Sequence, residues 1–189
     1  LLEELPAEHL LDHALDAFRG GPRVDDALAR VEATFTDPDA ADHLGYAWSR
    51  LSSDRPLRSV GRVLARRDEL GPAGVAAVSG AIEALAVARR RAAVVWLGLR
   101  HGRWLGRMDA TWGSVGYALH VLGWYRLCAW WLGDYPHRDG ARPWMLLNLV
   151  LAAWWFGRRA VAEAAASHAL ALPRDHTTDR HFVWALFHR

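Results

Sequence analysis

Aromatic side chains are the most conspicuous candidates for binding chemistry in this chain of 189 residues. It contains 11 tryptophans, most of them between Trp112 and Trp155. Buried tryptophans fill the crossings between helices, whereas exposed ones anchor partner proteins. We expect Trp112, Trp131 and Trp184 to be packing residues.

Asn148 is the only asparagine of the chain and lies inside the apolar stretch Leu146–Val150. A buried amide without a hydrogen-bond partner costs about 1–3 kcal/mol, so this side chain needs a partner. Two readings stay open. The amide is satisfied by a neighbouring helix, or it binds the backbone of a ligand.

An arginine cluster occupies the middle of the chain, where no acidic residue occurs from Ala84 to Met108. Guanidinium groups suit carboxylates and phosphates, so an acidic peptide or acidic domain is one candidate partner, and a solvated helix edge is the alternative. Nucleic acid is disfavoured because no stacking aromatics alternate with these charges and the net charge is only +2. The basic patch consists of Arg89, Arg90, Arg91, Arg100, Arg103 and Arg107.

Motifs typical of enzymes are missing: the sequence contains no phosphate loop, nucleophile elbow or dinucleotide fingerprint. His9 and His13 have a spacing that can bind zinc, but no third ligand accompanies them. Cys128 falls at a predicted helix crossing, where a thiol is usually inert. We therefore predict no catalytic residues, no cofactor and no metal.

The elements that must position these residues are helices. Apolar residues recur at helical spacing, and β-branched residues are too sparse for a sheet, so we predict an all-α fold. Pro and Gly divide the chain into antiparallel hairpins. We predict hairpins near 6–35, 39–68, 73–105, 109–134 and 143–172, and a trailing helix at 177–189.

The turns inside these hairpins are predicted at nearly constant spacing. The intervals between them are 33, 35, 34 and 34 residues. A fixed period of this length indicates an α-solenoid in which each hairpin packs against its neighbours. The predicted turns lie near Gly21, Asp54, Arg89, Gly123 and Gly157.

Two stretches, 109–136 and 143–176, resemble the tetratricopeptide repeat. The matching residues of the first are Trp112, Gly116, Ala118, Gly123 and Tyr125, with Cys128 in place of an alanine. Those of the second are Asn148, Leu149, Gly157, Ala162, Ala169, Leu170, Leu172 and Pro173. Three positions depart from the family pattern, namely Arg159, Val150 and Tyr135. The first hundred residues resemble the family only in period and helicity.

The resemblance implies a right-handed superhelix whose first helices line a concave, peptide-binding groove. We expect a non-catalytic scaffold for a protein or peptide partner, in which Asn148 fixes the register of the bound backbone. The alternative is a regulatory or substrate-presenting segment of a larger enzyme. Carried onto this chain, the groove residues are Tyr117, His120, Trp144, Leu147, Asn148, Leu151, Trp154 and Trp155.

Location and assembly leave fewer signals. The longest charge-free apolar run, Pro143–Gly157, has about 15 residues, whereas a membrane span needs about 18 or more. No charged-then-apolar leader opens the sequence, so we expect a cytoplasmic protein without membrane contact. A start at Leu1 and an apolar end suggest a piece of a longer chain. Exposed aromatics would also permit self-association.

Overall fold

The computed structural model describes residues 60, 61, 64, 65 and 72–172. These residues are helical apart from short connections, and no strand occurs among them, which confirms the all-α prediction for this part of the chain. The hairpin near 6–35, most of the one near 39–68, the trailing helix and the His9–His13 pair lie outside the described residues.

Residues 72–171 form six α-helices and one 3-10 helix. In chain order they are α1 (Pro72–Val87), α2 (Arg91–Leu105), α3 (Asp109–Val121), α4 (Tyr125–Trp131), the 3-10 helix (Leu132–His137), α5 (Pro143–Trp155) and α6 (Arg159–Ala171). None of these helices is both long and apolar enough to cross a membrane. The chain divides into two compact units, with the boundary between Ala93 and Val94.

Three helix–turn–helix segments share one register. Helices α1, α3 and α5 end at Val87, Val121 and Trp155, and their successors begin four residues later in each case. The turn residues Arg89, Gly123 and Gly157 all have left-handed backbone conformations, with φ of 56°, 78° and 80°. The structure thus places equivalent turns at 34-residue intervals, as the sequence predicts.

The hydrogen bonds of these turns repeat as well. At Gly123, its own N–H donates to the carbonyl of His120 and the N–H of Trp124 donates to that of Leu119. The same pair of bonds forms at Gly157 and at Arg89, shifted by 34 residues. This pattern closes a helix through a left-handed residue and satisfies carbonyls that the helix end would leave unpaired.

In the second unit, α3 packs on α4 and both pack on α5, while α6 packs on α5. Glycine permits the close approaches. A Cβ at Gly113 would lie 2.5 Å from Cγ of Met145, and one at Gly116 would lie 2.5 Å from Cδ2 of Leu132. The helix cost of these glycines, about 1 kcal/mol each relative to alanine, is offset by contact between helices.

The second helix of the middle hairpin differs from its prediction. We expected one α-helix to residue 134, but α4 ends at Trp131 and a 3-10 helix follows from Leu132 to His137. Pro136 explains the change, because its ring has no N–H and would collide with the carbonyl of Leu132 in a continued α-helix.

Candidate functional site

The predicted groove residues occupy α3 and α5. Trp154 and Trp155 are exposed, and Asn148 is buried. The other five are half-buried: Tyr117, His120, Trp144, Leu147 and Leu151. Most of this predicted surface is therefore accessible to a partner.

Three of the aromatic side chains near this surface contact one another in a row. The rings of Tyr125 and Trp155 are stacked with centroids 6.1 Å apart and an interplanar angle of 10°. The imidazole of His120 lies 5.7 Å from the Tyr125 ring. We call His120, Tyr125 and Trp155 the aromatic row.

Helix ends position the aromatic row. His120 is in the last turn of α3, Tyr125 begins α4, and Trp155 ends α5. The stacking of Tyr125 on Trp155 therefore brings the carboxyl ends of α3 and α5 to the same side of the unit. Burial lowers the pKa of His120 from its usual 6.5, which favours the neutral imidazole.

Sequence reasoning placed His120 and Trp155 in the groove but missed Tyr125, the ring that links them. Tyr125 was identified only as the aromatic that opens the second helix of a repeat. The missing signal was three-dimensional, because α4 and α5 must first pack together before the two rings can meet.

Asn148 is only 7% exposed, and its Nδ2 donates to the carbonyl of Trp144 at 2.9 Å, one turn back on α5. Its amide thus satisfies part of its hydrogen-bonding capacity within its own helix. The expected contact of Asn148 with the backbone of a ligand stays a prediction.

Near the amino end of α3, two tryptophans hold this helix against α4. Trp112 Nε1 donates to the carbonyl of Trp131 at 3.0 Å, and Trp131 Nε1 donates to the carbonyl of Trp112 at 2.9 Å. Trp112 Nε1 also lies 3.0 Å from Asp134 Oδ1. Trp112 is fully buried, in agreement with the packing role expected for it.

An arginine extends this network to the following loop. Arg138 donates to Asp134 Oδ2 through Nε at 2.9 Å and Nη2 at 2.6 Å, and to Asp109 Oδ1 at 3.3 Å. Its guanidinium also lies 4.6 Å from the centre of the Trp112 ring. Arg138 thus bridges both carboxylates, so this cluster has a structural explanation.

Cys128 is fully buried, and its Sγ donates to the carbonyl of Gly116 at 3.3 Å. Burial raises the pKa of this thiol to about 12, so almost no thiolate exists at neutral pH. Within residues 72–172, moreover, no group of His, Cys, Asp and Glu is arranged to hold a metal ion.

The arginines of the predicted basic patch are all exposed, but they do not belong to one compact unit. Arg89, Arg90 and Arg91 precede the boundary at Ala93, and Arg100, Arg103 and Arg107 follow it. Arg100 and Arg103 lie on one side of α2 because they are three residues apart, and Arg107 follows two residues after the end of this helix.

Comparisons with protein-family models, with curated proteins and with solved structures find no match for this chain.

Proposed function

We propose that this chain is a tetratricopeptide-like scaffold that binds an apolar segment of a protein partner on the side of α3 and α5 that carries the aromatic row. The repeat assignment is supported by the three equivalent turns and by the packing of α3 on both α4 and α5. Hairpins of constant register that bury faces only against their neighbours are the units from which solenoids are built.

The observation that carries the binding proposal is the state of Trp155. Its side chain is 57% exposed and yet stacks in parallel on Tyr125. An indole ordered by a neighbouring ring loses little further entropy when a partner covers it, which makes it a pre-organised anchor.

The surroundings of the row favour an apolar partner segment with a few polar groups. Half-buried Leu147 and Leu151 lie on the same helix as Trp155, and the exposed Trp154 ring is flanked by the guanidinium of Arg159 at 5.5 Å. Binding would cover the apolar side chains and leave the charged groups at the rim. No catalytic step is involved in this proposal.

A peptide-display selection tests the proposal. A library of random peptides of about 12 residues, long enough to cross two helices, is selected on the full chain, and the recovered peptides are measured against Trp155→Ala. We expect a loss of at least about tenfold in affinity with an unchanged melting temperature, because an exposed ring contributes little to folding.

Trp130→Ala is the matched control, since Trp130 is 75% exposed and lies on α4 outside the row. Selected peptides should bind this variant with wild-type affinity. Peptides that bind Trp155→Ala as tightly as the wild type would refute the proposed surface.

A further inference from the structure

One side of α2 carries a second exposed surface, separate from the aromatic row. Leu99 is 85% exposed, and Val95 and Trp96 are close to half exposed. Single exposed apolar residues are common, but here three of them lie among arginines on one helix face. We call this surface the α2 strip; it comprises Val95, Trp96, Leu99, Arg100 and Arg103 of α2, together with Arg107 just after the helix.

The neighbouring sequence only partly balances the positive charge of the α2 strip. From residue 94 to residue 172 there are eight arginines and four carboxylates. Two of these carboxylates, Asp109 and Asp134, bind Arg138. A partner that brings its own carboxylates would therefore complement the strip, and Arg–carboxylate pairs are strengthened by their paired hydrogen bonds.

Two glycines beside the strip point to the shape of that partner. A Cβ at Gly98 or Gly102 would meet no atom of the described residues within 4 Å, unlike one at Gly113 or Gly116. Glycine inside a helix is destabilising, and no contact within the described part of the chain offsets the cost at these two positions. A bare backbone one turn apart allows another helix to approach closely.

We infer that the α2 strip docks an acidic amphipathic helix of a partner protein. The partner's apolar residues cover Val95 and Leu99, its backbone approaches Gly98 and Gly102, and its carboxylates bind Arg100, Arg103 and Arg107. Nucleic acid is the less favoured occupant, since it would not require the exposed leucine or the glycine pair.

The test uses two synthetic probes and the full chain. The first probe is an amphipathic helical peptide of Glu and Leu, about 18 residues or five turns long, and the second replaces every Glu with Gln. Isothermal titration should detect binding of the acidic peptide but not of the Gln peptide. The affinity should fall as the salt concentration rises from 0.05 to 0.5 M, because the Debye length shortens to less than about 5 Å over that range.

Three variants locate the binding. Arg100→Gln/Arg103→Gln/Arg107→Gln and Leu99→Ser should each lower the affinity for the acidic peptide by about tenfold. Gly98→Ala/Gly102→Ala should raise the melting temperature and also weaken binding, because the added methyl groups stabilise α2 but hold the partner helix away. Unchanged affinity in these variants would overturn the proposal.

Controls separate this proposal from the preceding one. Arg158→Gln/Arg159→Gln, on the turn after α5, and Trp155→Ala should both bind the acidic peptide normally. A DNA or RNA oligonucleotide that binds more tightly than the peptide, and equally to Leu99→Ser, would make the strip a nucleic-acid site. Concentration-dependent dimerisation abolished by Leu99→Ser would make a second copy the occupant. Either result would overturn the proposal.

Discussion

The hairpins α3–α4 and α5–α6 have the same turn but fill their interiors in opposite ways. In the first, the buried Gly116 of α3 faces the buried Leu132, the first residue of the 3-10 helix that follows α4. Thirty-four residues later the corresponding buried residues are Val150 and Ala166. A small residue on one helix is thus matched with a larger residue on the other, in either order.

The backbone register and the side-chain packing of these hairpins are therefore specified separately. The turn is fixed by a left-handed residue and by its two hydrogen bonds, which are the same in both hairpins. The space between the two helices is filled by a pair of side chains. A close-packed interior tolerates a change in one of them when the other changes so that their total volume is kept. Each hairpin can then present its own surface while keeping the same turn.

The second helices show what this freedom permits. α6 buries only alanines, namely Ala162, Ala165, Ala166 and Ala169. α4 instead buries Cys128 and relies on the paired indoles of Trp112 and Trp131. The aromatic side chains of the middle hairpin are therefore partly structural, and only those that stay accessible, such as Tyr125, are available for a partner.

The largest expected effect comes from breaking the volume match. Gly116→Val places the residue of the second hairpin into the first, where its Cβ would meet Leu132, and we expect a loss of about 1–3 kcal/mol in unfolding free energy. Combining it with Leu132→Ala should be less destabilising than the sum of the two single changes by about 1 kcal/mol or more. Urea denaturation followed by circular dichroism measures all four proteins of this cycle.

If the two changes were additive in unfolding free energy, residues 116 and 132 would not compensate each other in volume, and the comparison of the two hairpins would be contradicted. Ala118→Gly serves as a control for helix propensity, because Ala118 is also buried on α3. Its combination with Leu132→Ala should be close to additive if the coupling belongs to residue 116.

A smaller effect tests whether the three turns are energetically equivalent. No atom lies within 4 Å of a Cβ placed at Gly123 or Gly157, so alanine there should lose only the backbone term of about 1 kcal/mol. Arg89 adopts the same backbone conformation with a side chain, and Arg89→Gly should be more stable than Arg89→Ala by about the same amount. Comparing glycine with alanine removes the contribution of the arginine side chain.

Thermal unfolding of these four variants supplies the measurement. A difference between glycine and alanine at Gly123 and Gly157 but not at Arg89 would mean that the first turn is equivalent in geometry but not in energy.

The sequence predicted what depends on local rules. Glycine at 123 and 157 with flanking apolar periodicity was sufficient to locate the turns, and the spacing extended the pattern to Arg89. Residues that depend on neighbours in space were harder. The early end of α4 follows from Pro136, which the sequence contains. The stacking of Tyr125 on Trp155 depends instead on how α4 packs on α5, which sequence patterns do not show.

Asn148 illustrates the same limit for function. Its isolation in an apolar stretch indicates that the amide needs a partner if it is buried, but sequence cannot choose among the partners that an amide might find. In the structure the partner of the amide is the carbonyl of Trp144 on the same helix, and not a neighbouring helix as one of the two readings expected.

The smallest effect concerns His120, which takes the position that Trp154 holds in the second hairpin. Burial lowers the pKa of His120, so the unfolded chain binds a proton more readily than the folded one. Its contribution to stability is therefore complete above its usual pKa of 6.5 and falls as the pH drops from there toward the folded value. His120→Gln should unfold at a temperature that depends less on pH between 5 and 7 than the wild type, by about one to two degrees.

Trp155→Ala is a second test, because removing the ring beyond Tyr125 should expose His120 further and reduce the same pH dependence. If His120→Gln and the wild type gave parallel profiles, the imidazole would titrate alike in both states and the row would not exclude water from it.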